Sequence, residues 1–460
     1  MKKTIVNHLV NGFSKVASDF FIFVLSILHL VLFLGVGRLD VKFYSLIIIV
    51  VLSIFLLYWH RKLQTLSKLL NKKLVVCYYL LFLSSWILLI FVNYSAIKYN
   101  NFDTGIFANN VAHYVFYGGY YSTILQIPAL ADHFTPGLIL FAPLLKLYPT
   151  FLWFPLAKVL LYFVCPIILF YFSGAVLGTQ NKLCYFPPLL WIVHGYLART
   201  LLMQFQPSSL ALPFILGAFF LSYQRRWFLM FVMLCVVLTL KEQMALVWIS
   251  LGFFQIFMQS KRFVGASLLV SGIAIGLFIV FVLTPELTGQ ANIHLNQFGP
   301  LSYVKEKLIV LFMAFLSVGF VPLLSLRSLT FILPAFGLAL ISTNPQMITL
   351  DFHYQDVPLT ILFVGVIFGL KELESGWFKS RLQSNSRELI TAISSICLIC
   401  SILEPDSVLH QTTNRFVLFA DNVNFYPLSQ GQSDHLRQEL QNRCQTLEKR
   451  QYVTLFECQP

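Results

Sequence analysis

Apolar residues fall along this chain in long runs separated by short polar loops. Such runs lie near 19–37, 43–60 and 74–95, and a polar, aromatic stretch follows at 96–135. Residues 137–178 are apolar again but broken by Pro143, Pro149, Pro155 and Pro166. Further runs lie near 184–199, 208–223, 227–240, 243–259, 263–284, 306–324, 328–343, 357–370 and 388–404. A helix needs about 20 apolar residues to cross the hydrocarbon core of a bilayer. Several of these runs are shorter, which predicts tilted helices, helices shielded by others, or a locally thinned bilayer. The pattern predicts an all-α, polytopic membrane helix bundle of about 12–14 transmembrane helices. The proline-broken 137–178 segment fits if it makes one net crossing while its other apolar part dips in and returns. No internal repeat or low-complexity segment stands out.

Charge gives the bundle a direction. Lys and Arg concentrate in cytoplasmic loops. With Lys2 and Lys3 placed inside, the loop with Arg61, Lys62, Lys68, Lys72 and Lys73 is also inside. So are Lys182, Arg225-Arg226, Lys261-Arg262, Arg327 and the 371–387 loop. The opposite side then collects Asp103, Asp132, His133, Gln206, Lys241, Glu242, Glu286, His294, His353 and Asp356. The expectation is a helical bundle with a polar site at its outer mouth.

Composition agrees. Hydrophobic residues make up 58% of the 460 residues and charged residues 11%, against about a quarter charged in soluble domains. The net charge of +13 reads as orientation bias rather than nucleic-acid binding, because no basic stretch is interleaved with exposed aromatics. The run from about Phe20 to Val36 lacks a small-residue cleavage site and reads as a retained helix. Of eight cysteines, Cys397 and Cys400 form a C-x-x-C inside an apolar run and read as small apolar residues. The polar tail, 405–460, falls on the outer side. There Ser433-Asp434 is expected to cap a helix running to about Arg450, with a short strand at Tyr452–Cys458. Cys444 and Cys458 bracket that helix and form a candidate disulfide in an oxidising compartment. Three parts result: an N-terminal hairpin, 1–73; a membrane core, 74–404; and the tail.

Four stretches could carry chemistry. In N-F-D-T-G-I-F-A-N-N, 101–110, Asp103 follows a membrane helix. It fits either a helix N-cap or a carboxylate at the membrane surface aimed at a lipid-borne substrate; Asn109 is a secondary candidate. In A-D-H-F-T-P-G, Asp132 and His133 precede a proline suited to start a helix. His133 fits phosphate binding, proton transfer or capping, and the pair alone is too small for a metal site. Lys241 and Glu242 sit between two apolar runs, where they either snorkel or serve function at depth. In D-F-H-Y-Q-D, 351–356, His353 and Tyr354 fit a polar turn or a ligand mouth. Gln206 is a further candidate, whereas His194 reads as a satisfied bundle histidine. Nucleotide-binding and soluble-hydrolase templates are missing, so ATP-driven transport loses support.

Taken in order, these stretches resemble one bacterial family. F-D-T-G-I-F with a later G-G, D-H-F-T-P-G with a later A-P-L, an apolar run ending in K-E, and H-Y before a helix are similar to the predicted membrane proteins known as domain of unknown function 2079. The likeness covers roughly 95–370, and 1–73 looks like an extension ahead of it. Where the family often has F-H-P, this chain has Phe205-Gln206-Pro207; where it often has K-E-D, this chain has Lys241-Glu242-Gln243. The family often carries a larger soluble domain after its last helix, and the tail here looks like a reduced form. It is grouped by similarity with the C-type membrane glycosyltransferases, which place an acidic residue in the first outer loop just after a membrane helix. Asp103 occupies the matching place, and H-F-T-P-G resembles their loop-to-helix step. The resemblance implies a C-type-like bundle in a bacterial inner membrane and a polyprenyl-phosphate sugar donor transferring to an acceptor on the outer face. The implied partners are membrane lipid and a lipid-linked sugar. A carrier or flippase for a lipid-linked or small polar solute, and a non-catalytic scaffold, are the alternatives.

Overall fold

A computed structural model describes residues 72–95, 102–179, 181–289, 299, 302–350, 353–375, 415–420, 438, 444–450 and 453–458. The apolar runs at 19–37, 43–60 and 388–404 lie outside these residues.

Proline positions decide how the runs become helices. The 74–95 run is helix α1, Lys72–Ser95. Helix α2, Phe102–Tyr117, follows, then a hairpin of β1, Tyr121–Ser122, and β2, Ile127–Pro128. The 137–178 segment divides into a 3₁₀ turn, Pro136–Phe141, a short helix, Ala142–Leu147, and the long helix α3, Trp153–Leu177. Pro155 falls in the first turn of α3, where a missing N–H costs nothing. Pro166 lies inside and removes one internal hydrogen bond without ending the helix. At about 1.5 Å per residue, α3 is long enough to cross a bilayer alone.

The 184–199 run breaks at His194 into α4, Phe186–Val193, and α5, Gly195–Leu202. The histidine ring is fully buried and satisfied at both nitrogens. Ser317 Oγ spends its proton on the Ala314 carbonyl (2.7 Å), so His194 Nε2–H donates to Ser317 Oγ (2.8 Å). Nδ1 accepts from the Leu197 N–H (3.3 Å). The hydrogen bonds thus fix the tautomer and hold three helices, which agrees with a bundle histidine.

Two helical hairpins follow. Helices α6, Leu212–Tyr223, and α7, Trp227–Leu238, turn at Arg225-Arg226. Helices α8, Ala245–Phe257, and α9, Arg262–Phe278, turn at Lys261-Arg262. Helix α9 continues through a π-turn, Ile279–Leu283, to Thr288. A Cβ on Gly265 would lie 2.6 Å from the Gly252 carbonyl, so α8 and α9 pack backbone to backbone through small residues. The outward face of α9 carries exposed Phe263, Val270, Ile273, Leu277 and Phe281, a surface for lipid. Together with the 26-residue apolar span Arg262–Leu287 and α3, this makes the chain an all-α membrane helix bundle.

After α10, Val304–Ser317, and α11, Leu329–Ala335, comes α12, Asp356–Ser375. Every residue from Gln355 to Leu370 is buried, so α12 is apolar all round and lies at the centre. It packs against α3, α6, α11 and the Val321–Leu324 turn. Gly365 and Gly369, one turn apart, let that turn approach the helix.

The tail corrects one expectation. Residues Cys444–Arg450 form strand β4 rather than the end of a helix. Strand β4 pairs antiparallel with β5, Val453–Cys458, and β3, Arg415–Ala420, pairs on the other edge of β5. Pairing on both edges satisfies the backbone of β5, which a lone strand beside a helix would leave open. The strand expected at Tyr452–Cys458 is β5. The antiparallel register faces Cys444 with Cys458. If the two pair, a thiol titration of the denatured, unreduced chain counts six rather than eight cysteines; eight free thiols would remove the bridge.

Candidate functional site

Chain segments far apart in sequence meet at one end of the bundle, opposite the Arg225-Arg226 and Lys261-Arg262 turns. Helix α2 begins at Phe102, with Asp103 in its first turn rather than at its cap. The Asp103 carboxylate turns to the loop before the Pro207–Leu210 turn, where the side-chain amides of Gln204 and Gln206 both donate to Oδ2. In return the Asp103 N–H donates to Gln204 Oε1 (3.1 Å), and the Phe205 N–H to Thr104 Oγ1 (2.9 Å). These bonds stitch the start of α2 to the 204–206 loop and fix the carboxylate.

The row continues to Lys241. Its Nζ donates to Gln206 Oε1 at 3.4 Å, a long bond, and lies 5.5 Å from the Tyr354 ring centroid. The Tyr354 and His353 rings are 4.1 Å apart. His353 is buried, and its Nε2 has no hydrogen-bond partner among the described residues.

Glu242 anchors the remaining segment. One oxygen bonds His133 Nδ1 (2.9 Å), and the other accepts the Phe134 N–H (3.0 Å). Next to it, the Gly137 N–H donates to the Thr239 carbonyl (2.8 Å). A Cβ at Gly137 would lie 3.1 Å from that carbonyl, so the approach requires glycine. The His133 ring stacks on Phe107 of α2 at 6.3 Å. Tyr120 OH donates to the Thr135 carbonyl (3.0 Å), tying the hairpin to the same segment.

Replacing Glu242 with Ala leaves two donors without their acceptor. Hydrogen bonds to charged groups contribute roughly 1.5–3 kcal/mol each, so thermal melts in detergent should fall clearly. Glu242→Gln keeps a carbonyl acceptor and should fall less. Equal melting of all three proteins would show that the clamp contributes nothing.

Electrostatics bind the row together. Burial pushes the Asp103 carboxyl above its ordinary value, while Lys241 and His133 pull it back, Asp132 adds to the rise and the Gln206 hydrogen bond opposes it. Burial also pushes His353 below the usual imidazole range, helped by Lys241, His133 and Lys158. Tyr354 rises to about 12, first through burial and then through Asp103, Glu242 and Asp132.

Asp103, Asp132, His133, Gln206, Lys241, Glu242, His353 and Tyr354 are each linked to others of the group by a hydrogen bond, a ring contact or an electrostatic influence. Asn109 does not join them. Its amide holds Thr123, by Nδ2 to Oγ1 and from the Thr123 N–H to Oδ1, both 2.9 Å, and so secures the hairpin. Among the described residues no cluster of three or more His, Cys, Asp or Glu is placed to hold a metal.

Sequence reasoning missed Gln204, Thr104 and Lys158. Gln204, an amide in a connecting loop, and Thr104, a hydroxyl in the first turn of α2, carry no distinguishing signal. Lys158 had one: it is the lone charge in the apolar α3 stretch W-F-P-L-A-K-V-L-L.

A family model, described as predicted membrane protein (DUF2079), matches residues 93–446. The chain belongs to the DUF2079 family. The match begins at the end of α1, takes in every segment of the site and reaches into β4 of the tail. No curated protein and no solved structure matches the chain. Membership of DUF2079 makes this a membrane protein of a family without an assigned activity.

Proposed function

We propose that this DUF2079 protein transfers a sugar from a polyprenyl-phosphate donor to an acceptor at the outer face of a bacterial inner membrane. In this reading the N-terminus is cytoplasmic and the tail extracytoplasmic. The observation that carries it is the Asp103 carboxylate, held by two glutamine amides at the bundle end away from the basic turns. Charged side chains crowd that end. Elsewhere the described interior holds neutral pairs such as His194–Ser317 and Gln255–Ser222, with Lys307 the exception. A transport path would instead need polar groups through the bilayer depth. The likeness to C-type glycosyltransferases, which have an acidic residue at the same place, adds support.

Asp103 acts as general base. It takes the proton of the acceptor hydroxyl as that oxygen attacks the anomeric carbon and the bond to the phosphate oxygen breaks. Burial strengthens it as a base by disfavouring its charged form. Lys241 and His133 offset the charge that develops on the departing lipid phosphate. Asp132, Glu242, His353 and Tyr354 shape the pocket around the phosphate. Gln206 stands where the family often has histidine; its amide can hold Asp103 but cannot relay a proton.

Proteoliposomes holding the full chain and a labelled polyprenyl phosphosugar test this against the alternatives. Label moving from lipid to an acceptor supports transfer. Labelled lipid crossing the bilayer with its sugar still attached supports a flippase instead. Neither event, over a series of donors, leaves a scaffold.

A further inference from the structure

Two buried charges lie behind the site and take no part in the chemistry above. Lys158, on the second turn of α3, is 2% exposed, and Asp356, at the head of the central helix α12, is fully buried. Two of the three ammonium protons of Lys158 go to the carbonyls of Met203 (2.8 Å) and Gln204 (3.3 Å). Those carbonyls belong to the loop whose amides grip Asp103. Neither carboxylate oxygen of Asp356 has a hydrogen-bond partner among the described residues. The charges acting on it are Lys158 and Lys241. Asp356 therefore feels both the lysine that holds the loop from behind and the lysine that reaches Gln206 from the front, without a direct hydrogen bond to either.

A lone ammonium in an apolar helix is costly unless paired. A fold needing only bulk at position 158 would carry Met or Leu. We infer that Lys158 is a positioning residue for Asp103. Lys158 fixes the 203–204 carbonyls so that the Gln204 and Gln206 amides converge on one carboxylate oxygen, and the buried Asp356 carboxyl is the acidic group that has to be changed along with it. The inference rests on the proposed transferase only in treating Asp103 as the centre of the site. Its test needs no substrate, so failure of the transferase reading would leave it standing.

The test is carbodiimide labelling of Asp103 in the detergent-solubilised full chain, read by mass spectrometry, with exposed Glu286 as internal reference. Breaking the pair by one substitution leaves an uncompensated buried charge, so neutral pairs are compared. Lys158→Met with Asp356→Asn removes the donor to the loop carbonyls. Lys158→Gln with Asp356→Asn keeps an amide donor there. The Met/Asn protein should melt within a few degrees of the parent yet label Asp103 about threefold faster or more, with Glu286 unchanged. The Gln/Asn protein should label Asp103 within about twofold of the parent. A folded Met/Asn protein that labels Asp103 at the parent rate overturns the inference, because the pair then serves the fold alone. If Met/Asn does not fold, Lys158→Leu with Asp356→Asn, which also lacks the donor, is read in its place by the same criteria. Failure of both donor-lacking pairs to fold also overturns it.

Discussion

Asp103→Asn is expected to lower sugar transfer by at least about 100-fold, at the low end of what a general base contributes, while leaving the protein folded. The asparagine carbonyl can accept the same two glutamine amides that now meet on Oδ2. The stitching between α2 and the 204–206 loop therefore survives. What disappears is a charge that burial disfavours. A carboxyl whose folded-state pKa lies above its unfolded value weakens the fold as pH rises from the ordinary carboxylate value through the raised one. Below that range the residue is protonated in both states and the penalty vanishes. The Asn protein should thus melt at or above the parent at neutral pH, with the difference fading under acid conditions. Transfer assays together with melts at both pH values check this. Undiminished transfer would remove Asp103 as the base, and a neutral-pH melt far below the parent would make its role structural.

Gly369→Val is expected to abolish accumulation of folded protein. A Cβ at this position would overlap the Val321 carbonyl oxygen and lie 2.7 Å from the Val321 carbonyl carbon. Overpacking usually costs about 1–3 kcal/mol because side chains yield. Here the obstacle is backbone, and it is braced. Gly319 and Phe320 take φ of 61° and 54° to enter the Val321–Leu324 turn, and Pro322 stiffens it. On the other side, α12 is enclosed on all faces and cannot back away. One turn earlier, a Cβ on Gly365 would meet Ile332 Cδ1 at 2.5 Å and Pro322 Cβ at 3.1 Å. Side chains can adjust there, so Gly365→Ala should be milder than Gly369→Ala. Size-exclusion profiles of solubilised membranes give the ranking; a monodisperse Gly369→Val protein with parent-like melting would refute the packing account.

Run length and charge distribution made the bundle legible, because lipid leaves the chain few ways to satisfy its backbone. Lys261-Arg262 marked a turn between helices for that reason. The breaks inside runs were less legible. The halt at His194 depends on Ser317, 123 residues away. The tail misled because an Asp-started polar stretch signals a helix locally, while the pairing of β4 with β5 is decided by the partner strand. In the site, Asp103, His133, Lys241 and Glu242 stood out as charges beside apolar runs. Gln204 did not, because an amide in a loop becomes meaningful only when a carboxylate faces it. Asn109 stood out by proximity to Asp103 but lies farther along α2, turned to the hairpin.

Three acidic residues in or behind the site open helical segments: Asp103 in α2, Glu242 before α8 and Asp356 in α12. Aligned peptide dipoles leave about half a positive charge at the start of each such segment. A tally of side chains alone makes this corner look anionic, yet these carboxylates stand at the electropositive starts of helical segments. A negatively charged headgroup arriving there meets a field weaker in repulsion than the residue names suggest, and part of its reception needs no lysine at all.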